Sequence, residues 1–156
     1  MSQSKVALLL VPAAAAIAVG LVSLRVHFQP PTVPAYALVD DGGETVLAPG
    51  GQFTMEARPE APLLGAIGAR AFLLRGDEVR PWDPPFSVAR DGAVRIDGPV
   101  RTLFAGVAAG PWEIALAVGR PETLPTAPRD VLRARDGDSA GRASWRLVRK
   151  RVRLGV

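Results

Sequence analysis

The sequence predicts one all-β domain behind a single apolar N-terminal segment. Three observations lead to this prediction: an uncharged run over residues 6–24, short β-prone runs separated by turn residues from residue 36 onward, and no long amphipathic helical pattern after that point. About 130 residues follow the apolar run, enough for one domain with its own core.

The apolar run VALLLVPAAAAIAVGLVSL, residues 6–24, contains nineteen residues without a charge. As a helix it would reach about 28 Å, close to the thickness of the hydrocarbon core of a bilayer. Lys5 and the small residues Ala16 and Ala18 also fit a cleaved signal peptide. Because the apolar run continues past Ala18 to Leu24, we expect a retained transmembrane helix, or uncleaved signal anchor, instead.

The flanking charges predict the orientation of this helix. Residues 1–5 would form a short cytoplasmic tail that carries Lys5, whereas Arg25 at the other end favours the opposite orientation. Positive charge is scarce between residues 26 and 59, which favours export of the C-terminal part. A composition rich in Gly, Pro and Arg is typical of a high-GC bacterial genome, so we expect a single-pass protein of the bacterial inner membrane with a periplasmic domain.

Residues 25–35 are rich in proline and predict a stiff stalk. The domain over residues 36–156 then begins with short β-prone runs that end at Gly, Pro or Asp. These runs are Tyr36–Val39, Glu44–Leu47, Phe53–Ala57 and Ala69–Leu74. The last is the most apolar and predicts a central strand. A proline-rich piece follows, in which Trp82 is expected to pack over a sheet edge.

The second half of the domain has clearer signals. Phe86–Ala89 and Ala93–Ile96 flank the turn Arg90–Gly92 and predict a hairpin. Between Pro111 and Gly119, the side chains of Trp112, Ile114, Leu116 and Val118 alternate with those of Glu113, Ala115 and Ala117, which predicts a strand with the first set on one face and the second set on the other. Residues 128–135 predict one or two helical turns, and residues 145–154 predict a final basic strand.

About seven strands punctuated by turn signals are typical of an immunoglobulin-like β-sandwich, here without a disulfide because the chain has no cysteine. The phrases LAPGGQFTMEARP and LFAGVAAGPWEIALAVGRP resemble strand openings of immunoglobulin-like β-sandwich modules in bacterial envelope proteins. Together with the span and the stalk, the layout resembles membrane-anchored sensor or accessory proteins. The resemblance implies a role in an envelope complex and carries over no functional residue.

The residue types argue against an enzyme. The chain has no cysteine, and its single histidine, His27, lies in the predicted stalk, so neither a Ser-His-Asp nor a Cys-His arrangement can form. Glycine-rich phosphate loops are absent, and we expect no cofactor. Asp136 and Asp138 resemble part of a calcium loop, but the bidentate glutamate is missing, so a solvated loop without metal is expected.

The charges divide unevenly along the chain. Residues 129–156 carry nine Lys or Arg against three Asp, whereas residues 26–128 carry a net charge of −4. Arg149, Arg151 and Arg153 share one face of the last strand and, with Trp145, form a candidate partner-binding surface. The alternative is an exposed strand whose charges deter aggregation. Aromatic residues do not alternate with these arginines, so no nucleic-acid partner is expected.

Two functions remain open from the sequence. The first is a non-enzymatic, membrane-anchored, extracytoplasmic domain that binds another envelope protein, as a sensor or accessory subunit. The alternative is a secreted or tethered module that binds carbohydrate or lipid through exposed Trp82, Trp112 or Trp145. The sequence does not predict an oligomeric state.

Overall fold

The structure is a computed structural model that describes residues 32–40, 43–135 and 144–155. Most of them lie in β-strands. The strands in the described part of the chain are β1 (Tyr36–Leu38), β2 (Thr45–Leu47), β3 (Gln52–Pro59), β4 (Gly68–Arg75), β5 (Glu78–Trp82), β6 (Phe86–Val88), β7 (Val94–Pro99), β8 (Gly110–Gly119) and β9 (Trp145–Leu154). The described residues also form two helices, α1 (Val100–Leu103) and α2 (Pro128–Arg135), and a 3-10 turn (Pro121–Thr123).

The strands form two sheets. One has the order β1-β3-β7-β6 and the other the order β2-β9-β8-β4-β5. Neighbouring strands are antiparallel except β2 and β9, which run parallel over three residues. The all-β prediction is therefore confirmed at the level of a β-rich fold with two sheets. Strands β8 and β9, paired along ten residues each, form the longest ladder of the second sheet.

The inner faces of both sheets share one buried core. On β3 the residues Phe53, Met55 and Ala57 alternate with more exposed positions and point into this core. The face predicted for β8 is confirmed, because the side chains at its four predicted positions are buried in the same cluster; they are Trp112, Ile114, Leu116 and Val118. Period-two alternation thus placed the interior correctly, since alternate side chains of a strand point to opposite faces.

The outer face of the five-stranded sheet is covered in part by α2. Phe72 on β4 and Ala115 on β8 form a second buried cluster with Val131 and Ala134 of this helix. Strand β4 is consequently buried on both faces, as its continuous apolar run predicts. At the end of α2, Arg135 donates from Nη1 to the Gly76 carbonyl at 2.7 Å, which ties the helix to the turn between β4 and β5.

The chain crosses between the two sheets several times. Two of these crossings join edge strands, β1 to β2 on one side of the core and β5 to β6 on the other. Strand β5 is the strand that the sequence did not predict, because its proline-rich surroundings indicate a loop. Pro81 is tolerated there because β5 is an edge strand, and its missing N–H costs no ladder hydrogen bond on the outer side.

The hairpin predicted around residues 90–92 is confirmed. Strands β6 and β7 pair antiparallel, and the turn between them is closed by the amide of Ala93, which donates to the Asp91 carboxylate at 3.0 Å. Gly92 has φ +86°, a left-handed conformation that glycine adopts without steric cost. The Arg-Asp-Gly sequence therefore specifies this turn locally.

The predicted tail over residues 1–5, the predicted transmembrane helix over 6–24 and most of the predicted stalk over 25–35 lie outside the described residues. Among the residues that are described, no helix is long and apolar enough to cross a membrane. The last stalk residues are described, and Val33 is buried, with its carbonyl accepting a hydrogen bond from Arg146 Nε at 2.9 Å. Contacts with the domain thus begin before β1.

Candidate functional site

Strand β9 separates its charges onto two faces. The side chains of Arg149, Arg151 and Arg153 are exposed on the outer face, as the sequence predicts, and we call these three residues the arginine face. Val148, Val152 and Leu154 alternate with them and are buried in the core between the sheets. The period-two pattern alone was enough to predict both sets.

Two members of the arginine face are held by carboxylates. Arg153 contacts Glu44 through two nitrogens, at 3.1 and 3.3 Å, and Arg149 lies 3.6 Å from Glu113. Arg151 lies between them and, within the part of the chain that the structure describes, makes no ion pair or side-chain hydrogen bond. Among the described residues, its guanidinium is therefore the member of the arginine face that no carboxylate engages.

Lys150 lies on the inner face between two buried valines, and the sequence pattern did not identify it as a site residue. Its side chain is only 4 % exposed, and its Nζ donates to the Asp40 carbonyl at 2.9 Å and lies 3.9 Å from the Asp40 carboxylate. The long apolar stem fills the edge of the core while the ammonium reaches the segment between β1 and β2. Lys150 lies two residues from both Val148 and Val152, so the alternation along the strand places it on the same inner face. This spacing was a signal that could have identified it.

A cavity of about 360 Å³ opens beside this part of β9. Among the described residues, its lining is formed by Gly43, Glu113, Arg149, Lys150 and Arg151. Three of these five residues are cationic and one is anionic, so this part of the lining carries a net positive charge. A volume of this size lies at the lower end of the range of small-ligand pockets.

The backbone of β9 is only partly paired on the side away from β8. Strand β2 covers Val152–Leu154 on that side. Among residues 32–40, 43–135 and 144–155, no strand pairs with Leu147–Arg151 there, and we call this stretch the open edge. A strand edge of this kind presents unpaired N–H and C=O groups and is a template for adding another strand.

Strand β1 lies beside this region and is fixed by Tyr36. The Tyr36 hydroxyl donates to the Gly92 carbonyl at 3.0 Å, which joins β1 to the turn between β6 and β7. Burial, reinforced by the negative charge of Asp91, raises the pKa of Tyr36 to about 12. The phenol is thus held in its neutral, hydrogen-bonding form.

Trp145 does not join the arginine face. It is 8 % exposed and belongs to the buried cluster beneath α2. Trp112 is 4 % exposed, with Arg75 over its ring at 4.4 Å, and the half-buried Trp82 stacks on Phe104. The three tryptophans therefore form no open aromatic platform of the kind that carbohydrate binding uses.

The described residues include no group of three or more His, Asp or Glu that could hold a metal ion. His27, Asp136 and Asp138, which the sequence singled out, lie outside the described residues. The arginine face and the open edge supply groups for recognition by charge and by backbone hydrogen bonds.

No protein-family model and no curated protein matches this chain.

Proposed function

We propose that this chain is a membrane-anchored, extracytoplasmic domain that binds another protein of the bacterial envelope through the arginine face of β9. The observation that carries the proposal is the pairing pattern of that face. Glu44 and Glu113 engage its outer two members, and Arg151 between them has no partner in the described chain. A guanidinium without a carboxylate partner among the described residues, beside a cavity whose described lining is net positive, is suited to an acidic partner.

The strand order supports an immunoglobulin-like sandwich as the scaffold. If β1, β3, β7 and β6 are taken as strands A, B, E and D, the first sheet has the ABED order of immunoglobulin domains. Strands β4, β8 and β9 then correspond to C, F and G, with β5 added beside C. Apolar residues such as Met55 and Leu116 fill the space between β3 and β8, where antibody domains carry their disulfide.

The sequence supports the membrane tether. The uncharged run over residues 6–24 is long enough to span a bilayer, and the region that follows it is poor in positive charge. In this arrangement residues 1–5 stay in the cytoplasm and the domain faces outward. The tether would keep the arginine face near other envelope proteins and so raise its effective concentration for a partner in the same membrane.

The topology can be tested with one cysteine. The chain contains none, and Thr102 on α1 is exposed, so Thr102→Cys introduces a single accessible thiol. We expect a membrane-impermeant maleimide to label it in intact spheroplasts and the labelled protein to stay in the membrane after a carbonate wash. Labelling only after lysis would contradict export, and labelled protein in the soluble fraction would contradict the anchor.

The binding surface can be tested by photo-crosslinking in living cells. A photoreactive amino acid in place of Arg151 should yield a discrete adduct of higher mass. The matched control is the same replacement at Arg90, an exposed arginine in the turn between β6 and β7. The same adducts from both positions, or none from position 151, would contradict a partner-binding role for the arginine face.

A further inference from the structure

We infer that the partner binds as an extended acidic segment that adds as a strand to the open edge, Leu147–Arg151, and places its carboxylates against the arginine face. This inference rests on the proposed protein-binding function and names the chemistry of the partner.

In the described chain, the backbone of the open edge is unpaired on the side that faces away from β8. Strand β9 has ten residues, and β8 pairs with all of them, but β2 covers only the last three on the other side. In the described chain, the backbone groups of the open edge that point away from β8 have no strand to bond. An incoming strand would pair with them and continue the line that β2 occupies further along β9.

The spacing of the arginines matches that of alternate residues in an added strand. Arg149 and Arg151 are two positions apart and point to the same side, so their Cα atoms are about 7 Å apart along the strand. Acidic residues at every second position of an added strand have the same spacing. Each carboxylate would then lie opposite one guanidinium, in the arrangement that stabilises cross-strand pairs.

Cations outnumber acids around the open edge in the part of the chain that the structure describes. There, Arg149, Lys150 and Arg151 line the cavity beside the edge, against one acid, Glu113. Lys150 Nζ is bonded to Asp40 and Arg149 lies near Glu113, so among the described residues Arg151 is the cation of this lining without a carboxylate partner. An acidic strand is matched by this balance, whereas a basic strand would be repelled.

The row of arginines alone would also attract an anionic membrane surface. A membrane, however, makes no use of an unpaired strand edge, and it would engage exposed arginines regardless of their register. The combination of an open edge with arginines at the period of a strand therefore favours a peptide over a lipid surface.

The test measures binding of a fluorescent peptide of alternating glutamate and valine, the Glu/Val peptide, to the full chain in detergent micelles by fluorescence anisotropy. We expect saturable binding, a rise in Kd on the order of tenfold for Arg151→Glu, and no change for the control Arg90→Glu, which alters net charge equally. A Glu/Val peptide N-methylated at every residue keeps its charges but has no backbone N–H to donate on either edge, and it should also bind about tenfold more weakly.

Three results with the peptides would overturn the inference: no binding of the Glu/Val peptide, equal binding of the N-methylated peptide, or an equal loss in both arginine variants. A result with lipid would also overturn it, namely binding to phosphatidylglycerol vesicles that Arg151→Glu abolishes, without any binding of the peptide. Crosslinks from position 151 in cells together with any of these outcomes would reject strand addition and leave the protein-binding role standing. Absence of both crosslinks and peptide binding would reject both proposals.

Discussion

The two crossings that join edge strands, β1 to β2 and β5 to β6, are stabilised by different means. Between β5 and β6 the contact is aromatic: Trp82 stacks on Phe104, with ring centroids 5.1 Å apart, and donates from Nε1 to the Leu103 carbonyl at 2.8 Å. Between β1 and β2 the contact is charged, because Lys150 reaches from the core to the Asp40 carbonyl. The crossing from β5 to β6 is therefore held by apolar contact, and the crossing from β1 to β2 is held by a cation.

This difference accounts for the location of the candidate site. An aromatic stack buries apolar area and stabilises the sheet edge that it covers. A lysine that bonds to one carbonyl holds the crossing segment but pairs no backbone of β9, so the open edge has no strand partner beside it in the described chain. We therefore expect this side to contribute less to stability and to be the one suited to binding, as is common for binding surfaces.

Trp82→Ala should have the largest effect on stability. The variant loses the stack on Phe104 and the hydrogen bond to Leu103, and we expect the free energy of unfolding to fall by about 3 kcal/mol. Urea unfolding followed by circular dichroism measures this change. Trp82→Phe keeps most of the aromatic contact and should cost about 1 kcal/mol, the usual contribution of one hydrogen bond. Equal losses in the two variants would show that the stack contributes nothing.

Lys150→Ala should come next, with a loss of about 2 kcal/mol, because it removes the buried stem and leaves a void in the core. Lys150→Met is the matched control, since it keeps the stem and removes the charge. We expect it to cost less than about 1 kcal/mol, because an apolar replacement of a buried charge is often close to neutral and the exposed Asp40 can bind water. If the methionine variant is as unstable as the alanine variant, the ammonium and not the stem stabilises this side.

Tyr36→Phe should cost about 1 kcal/mol at neutral pH, through loss of the hydrogen bond to the Gly92 carbonyl. The same variant tests the raised pKa. Because the folded state favours the neutral phenol, its contribution is complete below the ordinary value of 10.0 and is lost as the pH rises toward about 12. The stability difference between wild type and Tyr36→Phe should therefore shrink over that range.

Absorbance titration reads this group directly, since Tyr36 is the only tyrosine in the chain. A phenol that titrates near 10 in the folded protein would contradict the burial and the hydrogen bond. A stability difference between wild type and variant that stays constant up to pH about 12 would contradict the linkage.

Arg153→Ala should have the smallest effect. The ion pair between Arg153 and Glu44 is exposed on both sides, with side-chain exposures of 51 % and 36 %, so we expect a loss of less than about 0.5 kcal/mol. A double-mutant cycle with Glu44→Gln isolates the pair energy, and added salt should reduce it further. A coupling energy well above 1 kcal/mol would show that the pair is a structural contact of the fold rather than part of an adaptable surface.

Local patterns predicted much of the fold. The final strand over residues 145–154 and the helix over residues 128–135 were predicted with the bounds that the structure has, because long alternation and an initial proline are strong signals. Strand β5 was missed because its proline and flanking loop residues are typical of a loop, and only its position at a sheet edge makes it a strand. The parallel pairing of β2 with β9 depends on contacts between distant parts of the chain, which no local pattern encodes.

The candidate site was predicted in part for the same reason. Their spacing of two residues alone predicted that Arg149, Arg151 and Arg153 share one face, since alternate side chains of a strand point to the same side. Trp145 has the spacing of the same face, but α2 covers it. The position of that helix depends on tertiary contacts, which the local pattern does not predict. The open edge and the cavity arise from the short β2, so they became visible only in the structure.

The most direct test of the account is amide hydrogen exchange of β9, measured by NMR with and without the Glu/Val peptide. In the free protein, amides of Leu147–Arg151 that do not pair with β8 should exchange faster than those of Val152–Leu154 that face β2, and saturating peptide should slow them. Slow exchange at the open edge in the free protein, or exchange that the bound peptide leaves unchanged, would contradict the claim that β9 offers an edge for a partner strand.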